Sequence, residues 1–316
     1  MIVLWVLVEL RAKSTENARI PTKNFKKELC TGVMGMPMGP LGIFILAFLL
    51  YITHGIYLGG FIRAFKRCFG EITGYWIAMS IFTLLFAALI TIVYPSLYFV
   101  RWSFPADYFL IFLSLSVLTF VPVIFGLKKP ASPEANGNEE VEFVKSMSFK
   151  QAALLQIISA ALPEELVFRY IFLGLLALWN PLAGLVAISL FFGLAHKFAH
   201  PERKWMVLLS NTLTGFVLGL TYIYTKSLLV VMAIHWLDNM IPWAYMKYEN
   251  RRRVTVGTTV LLAFLPLVLL RGKLSPILEY LGGIYSGEGI VWGIGITLVM
   301  LGVVYLGLKL LGAKEK

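Results

Sequence analysis

Charge is scarce in this chain. Of its 316 residues, 14% are charged and 59% are apolar, whereas an ordinary soluble domain is about a quarter charged and about half apolar. So few polar side chains cannot dress a water-facing surface of that size, which excludes an ordinary soluble globular protein. Cysteine is nearly lacking as well. Cys30 and Cys68 stand alone without a CxxC, which leaves room for one disulfide at most and excludes a cysteine metal site. There is no coiled-coil heptad, no internal repeat and no HExxH. The net charge of +11 does not point to nucleic acid. The basic residues sit in short segments between apolar runs, with no basic helix or aromatic-basic interleaving to follow a phosphate backbone. The opening MIVLWVLVEL is apolar but short, with no basic region before it and no small-residue cleavage site. It reads as an interfacial anchor or a stray apolar tip rather than a signal peptide.

What the sequence has in abundance is apolar runs of roughly 20 residues, the length that crosses a hydrocarbon core of about 30 Å. Mean hydropathy is +0.79, and 27 glycines and 8 tryptophans suit close helix packing and aromatic interface belts. The runs predict spans near 41–62, 76–100, 105–127, 149–178, 182–197, 204–224, 227–246, 254–270 and 289–311. The expected fold is therefore all-α, a polytopic integral membrane bundle of eight to nine helices around an intramembrane cavity. Residues 128–148 form a polar linker rich in turn-forming residues. They divide an N-terminal membrane region (1–148) from a core (149–246) and C-terminal helices (247–316). Pro163 predicts a kink or break in the 149–178 run. The distribution of Lys and Arg favours a cytoplasmic C-terminus with Arg251, Arg252 and Arg253 on that side, although the basic N-terminal segment argues the other way.

The informative residues are polar ones inside apolar runs. Glu164 and Glu165 lie midway along ALLQIISAALPEELVFRYIFLGLLALW, and a carboxylate at membrane depth costs several kcal/mol and marks a functional site by default. Glu165 and Arg169 are i,i+4 on one helical face and can pair, while Glu164 points about 100° away toward a different cavity. Adjacent carboxylates in low dielectric repel, which makes the less compensated one the stronger proton acceptor. The structural alternative is a neutralised buried cluster serving Arg169. His196 ends ISLFFGLAH on the same face as Phe192, and His235 is followed one turn on by Asn239. His54 reads as packing, His200 as a wet helix end, and Asp238 as secondary, on another face. Two chemistries fit this set. In one, Glu164, His196 and His235 hold zinc, with Asn239 a poor ligand where one would be wanted. In the other, no metal takes part. Glu164 deprotonates a water, His196 orients it or moves the proton, and His235 with Asn239 donates hydrogen bonds to a developing oxyanion.

The run Glu164-Glu165-Leu166-Val167-Phe168-Arg169 resembles the EExxxR motif of the CAAX prenyl protease type II family, the Rce1-like or CPBP intramembrane proteases. Phe192 to His196 resembles its FxxxH motif, and His235 to Asn239 its HxxxN motif. All three stand in the family's order, within about residues 145–245. The resemblance implies a helical membrane bundle with a conical cavity open to the cytosol and to lipid. It implies a glutamate-dependent endopeptidase with no cofactor and no metal. Glu164 would be its base and His196 the partner of that base. His235 and Asn239 would form the oxyanion hole, with Glu165, Arg169 and Phe192 in support. The expected partners are membrane lipid and a peptide or protein substrate, prenylated or not. The expected location is a cell membrane or endomembrane, with the active site facing the cytoplasm. The alternatives from other classes are a non-catalytic transporter, a bacteriocin-immunity or interaction scaffold, and a zinc-dependent variant of the protease.

Overall fold

The computed structural model describes residues 39–97, 103–126, 146–199 and 205–310. The N-terminal apolar tip, Cys30, most of the polar linker and His200 lie outside them. The elements are helical throughout. Helices α1 (Pro40–Ile52) and α2 (His54–Phe69) are bent by 50° at their junction. Gly70 then turns the chain into α3 (Glu71–Val93) with φ 85° and ψ 163°, a region open essentially to glycine alone. Four residues on, a Cβ at Gly74 would run into the backbone of Phe65 and Lys66. Bare glycine lets α2 and α3 lie against each other, and Lys66 Nζ reaches Glu71 Oε2 at 2.7 Å.

Helix α4 spans Ala106–Gly126. A reciprocal capping box between Ser148 and Gln151 starts α5 (Phe149–Gln156), satisfying amides that the first helical turn leaves without partners. The chain stays helical from there to residue 179. It passes through a π-helical turn at Ile157–Ala161, an α turn at Leu162–Glu164, a longer π-helical stretch at Glu165–Leu173, and α6 (Gly174–Trp179). The expected interruption at Pro163 thus appears as widened turns on both sides of it rather than as a break. Next come α7 (Pro181–Ala199), α8 (Trp205–Thr225) and α9 (Leu228–Lys247). The side chain of Asn180 accepts from the Ala183 amide at 2.9 Å at the start of α7, and Ser227 does the same for Val230 before α9. The remaining helices are α10 (Arg252–Leu269), α11 (Leu274–Ile284) and α12 (Gly287–Leu310).

The number of spans differs from the sequence expectation of eight to nine. Among the described residues five helices are long and apolar enough to cross a membrane, or six if the bent α1–α2 pair is one span. Three expected spans drop out. Helix α4 offers a shorter apolar stretch, Ala106–Phe120. The 149–178 run is interrupted by π turns and carries Glu164, Glu165 and Arg169. Helix α9 carries His235, Asp238, Asn239 and Lys247. In the last two cases the polar residues that break the apolar run are the ones that point to function.

The bundle is organised around the π-helical stretch Glu165–Leu173, which packs on α1, α3, α6, α7, α8 and α9. All but Phe168 of its nine residues are buried, as befits a helix apolar nearly all round. Helix α7 is held between α8 and α12. A side chain at Gly193 would collide with Thr212 of α8, and one at Gly293 of α12 would meet Val186 at 2.7 Å. Small residues let these backbones approach closely, as membrane helices do where lipid supplies no hydrophobic drive to association.

Candidate active site

Successive helical positions point about 100° apart, and the two consecutive glutamates stand in different surroundings. Glu165 is fully buried and Arg169, one turn on, is fully buried beside it, with Nη1 donating to Glu165 Oε1 at 2.9 Å. The same carboxylate oxygen meets His235 Nδ1 of α9 at 2.5 Å. Because a carboxylate only accepts, this bond fixes the proton on Nδ1 and the orientation of the ring. Glu165 Oε2 and Arg169 Nε and Nη2 have no hydrogen-bond partner among the described residues. The guanidinium instead lies over the Phe192 ring, 4.4 Å from its centroid.

Glu164 is less enclosed, with 28% of its side chain exposed, and its Oε2 stands 3.9 Å from His235 Nε2. That is longer than a hydrogen bond. His196 Nδ1 meets the Phe192 carbonyl at 2.5 Å. A carbonyl also only accepts, so Nδ1 carries the proton and Nε2 is the nitrogen that chemistry can use. The Phe192 ring is the common neighbour. Its centroid is 4.9 Å from that of His196, 6.2 Å from His235 and 5.3 Å from Phe168.

A cavity of ≈ 250 Å³ is lined by Glu164, Phe192, His196, His235 and Asn239 together. These come from the turn before the central π stretch, the end of α7 and the middle of α9. Glu165 and Arg169 stand behind this wall and do not line it. His54 lies elsewhere, stacked on Phe82 with ring centroids 5.5 Å apart. Among the described residues no three His, Cys, Asp or Glu side chains converge in a way that could hold a metal ion.

Sequence reasoning missed part of the lining. Asp238, expected on another face, lines the cavity beside Asn239, and its Oδ2 accepts from Ser116 of α4 at 2.5 Å. Asn211 and Thr214 of α8 line it too, together with Trp76 of α3 and Gln156 of α5. The signal for Asn211 and Thr214 was present. The stretch Ser210-Asn211-Thr212 with Thr214 is a polar patch inside an apolar run, the same sign by which the glutamates were found.

The segment holding most of this lining matches one family model, that of the type II CAAX prenyl endopeptidases described as Rce1-like, over residues 148–241. This part of the chain is Rce1-like. The Rce1-like segment begins at the Ser148 cap of α5 and ends two residues past Asn239, so the EExxxR, FxxxH and HxxxN motifs all fall inside it. The assignment agrees with a membrane-embedded hydrolase. Comparison with curated proteins and with solved structures gave no match.

Proposed function

We propose that the chain is an intramembrane endopeptidase that hydrolyses a peptide bond with a glutamate-activated water and no metal. The observation that carries this reading is the convergence of Glu164, His196, His235 and Asn239 on one cavity within an Rce1-like segment. Glu164, the more open of the two carboxylates, takes the proton of the attacking water. His196, its Nδ1–H spent on the Phe192 carbonyl, uses Nε2 to orient that water and to pass the proton to the leaving amine. His235, held through Nδ1 by Glu165, offers Nε2–H to the oxyanion when doubly protonated, and the Asn239 amide is the second donor. The substrate is a membrane-associated peptide, of which a prenylated CaaX-type C-terminus is the first to try, and the cavity is reached from the cytoplasmic side.

The test is hydrolysis of prenylated and unprenylated peptides by the purified protein. Glu164→Gln should lower kcat about 10²–10⁴-fold, the usual worth of a general base, and Asn239→Ala about 10²–10³-fold. A chelator should change nothing. Cleavage by Glu164→Gln at the wild-type rate would remove Glu164 as the base. Activity lost in chelator and restored by zinc would replace this mechanism with a metal one.

A further inference from the structure

Away from the catalytic cavity, the described residues enclose a larger hollow of ≈ 400 Å³ between the start of α5, the second half of α9, and α10. Its lining is graded along the chain. Arg251, exposed at the head of α10, comes first, Thr255, Thr258 and Thr259 follow about one and two turns on, and Leu262 comes last. At 1.5 Å per residue the rise from Arg251 to Leu262 is about 16 Å. Cation, hydroxyl and hydrocarbon therefore follow in the order in which a phospholipid presents phosphate, glycerol ester and acyl chain.

Several features identify the occupant. Helix α10 belongs to the least buried of the five spanning segments, 17% enclosed, and it exposes Leu261, Phe264, Leu265 and Val268. A helix so bare in a membrane protein faces lipid, and a hollow on its flank opens to acyl chains. At its head, Arg252 is already engaged. Nη2 donates to Glu249 Oε1 at 3.2 Å, and the guanidinium carbon lies 5.1 Å from the Tyr245 ring centroid. Arg251, on the rim, has no side-chain hydrogen bond or ion pair of this kind among the described residues. Three successive arginines at a helix N-terminus, whose backbone dipole has the same sign, leave a positive field that attracts an anion. Tyr248 on the rim is the kind of aromatic that sits at headgroup level.

We propose that this hollow binds one anionic phospholipid, with its phosphate on Arg251 and an acyl chain along Met240, Ala244 and Leu262. The site is separate from the catalytic cavity and does not depend on the peptidase reading. It touches that cavity's scaffold, however. Met240 and Ile241 follow Asn239 directly, so the bound chain braces the turn of α9 that carries Asn239.

The test uses the full-length protein, delipidated in detergent and titrated with phosphatidylglycerol, phosphatidylcholine or inorganic phosphate, with binding followed by native mass spectrometry and thermal stability. Phosphatidylglycerol should bind more tightly than phosphatidylcholine, and phosphate alone should not stabilise. Arg251→Ala should weaken phosphatidylglycerol about fivefold, the worth of one interfacial cation, with Arg251→Lys recovering most of the loss. Arg271→Ala, exposed at the opposite end of α10 and outside the hollow, should bind like wild type. Phosphatidylglycerol carrying a photoreactive acyl chain should label the α9 and α10 peptides around Ala244 and Leu262. Equal affinity for the two lipids, an unaffected Arg251→Ala, labelling elsewhere only, or a dimer that covers this face would each overturn the proposal.

Discussion

Arg169 is fully buried, and its charge is compensated by Glu165 2.9 Å away. Removing one member of a buried pair leaves the other uncompensated, typically at about 3–5 kcal/mol, whereas replacing both with apolar residues of similar size is often neutral. Glu165→Ala and Arg169→Ala should therefore each lower the thermal stability of the detergent-solubilised protein by that order. Glu165→Leu combined with Arg169→Met should recover much of the loss. Activity should not recover with it, because His235 loses the acceptor that holds its Nδ1. A double variant as unstable as the single ones would mean that the pair does more than neutralise itself. The pairing of Glu165 with Arg169 was legible from the i,i+4 spacing. The hydrogen bond from His235 to the same carboxylate was not, since it joins residues 70 apart and only the packing of α9 on the central segment brings them together.

Among the elements, α7 and α8 approach so closely that Gly193 has no room for a side chain beside Thr212. Gly193→Ala should cost about 1–3 kcal/mol, the usual penalty of overpacking, and Thr212→Ala in the same chain should relieve part of it. Gly257, which has open space around it, is the control, and Gly257→Ala should be tolerated or mildly stabilising in the same melting experiment. Full tolerance of Gly193→Ala would mean that the two helices sit farther apart. The apolar runs located α7 and α8 to within a few residues. They gave no hint of the π turns around Pro163, because widened turns are set by what presses on the helix from several sides, and π turns gather at functional sites.

At the scale of the whole molecule, the length and apolarity of the runs made an all-α membrane protein legible, whereas their number overstated the spans. Hydropathy counts a run without knowing whether its helix stays regular, and the run at 149–178 is interrupted by π turns while that at 227–246 carries His235, Asp238 and Asn239. Helix α11 is 11 residues long, about 17 Å against the roughly 30 Å of a hydrocarbon core, and is too short to cross it. In a chain bearing Cys30→Ser and Cys68→Ser, Glu279→Cys should react in reconstituted vesicles with a membrane-impermeant maleimide. Leu298→Cys of α12 should not, although Leu298 is 64% exposed, because lipid is what it is exposed to. The reverse pattern would take α12 out of the membrane. The contact between Glu165 and Arg169 also bears on how such a chain is made. Both charges sit within one helical turn, so a cell inserting the chain from its N-terminus delivers them to the membrane already neutralised. They need not wait for His235, which leaves the ribosome 70 residues after Glu165.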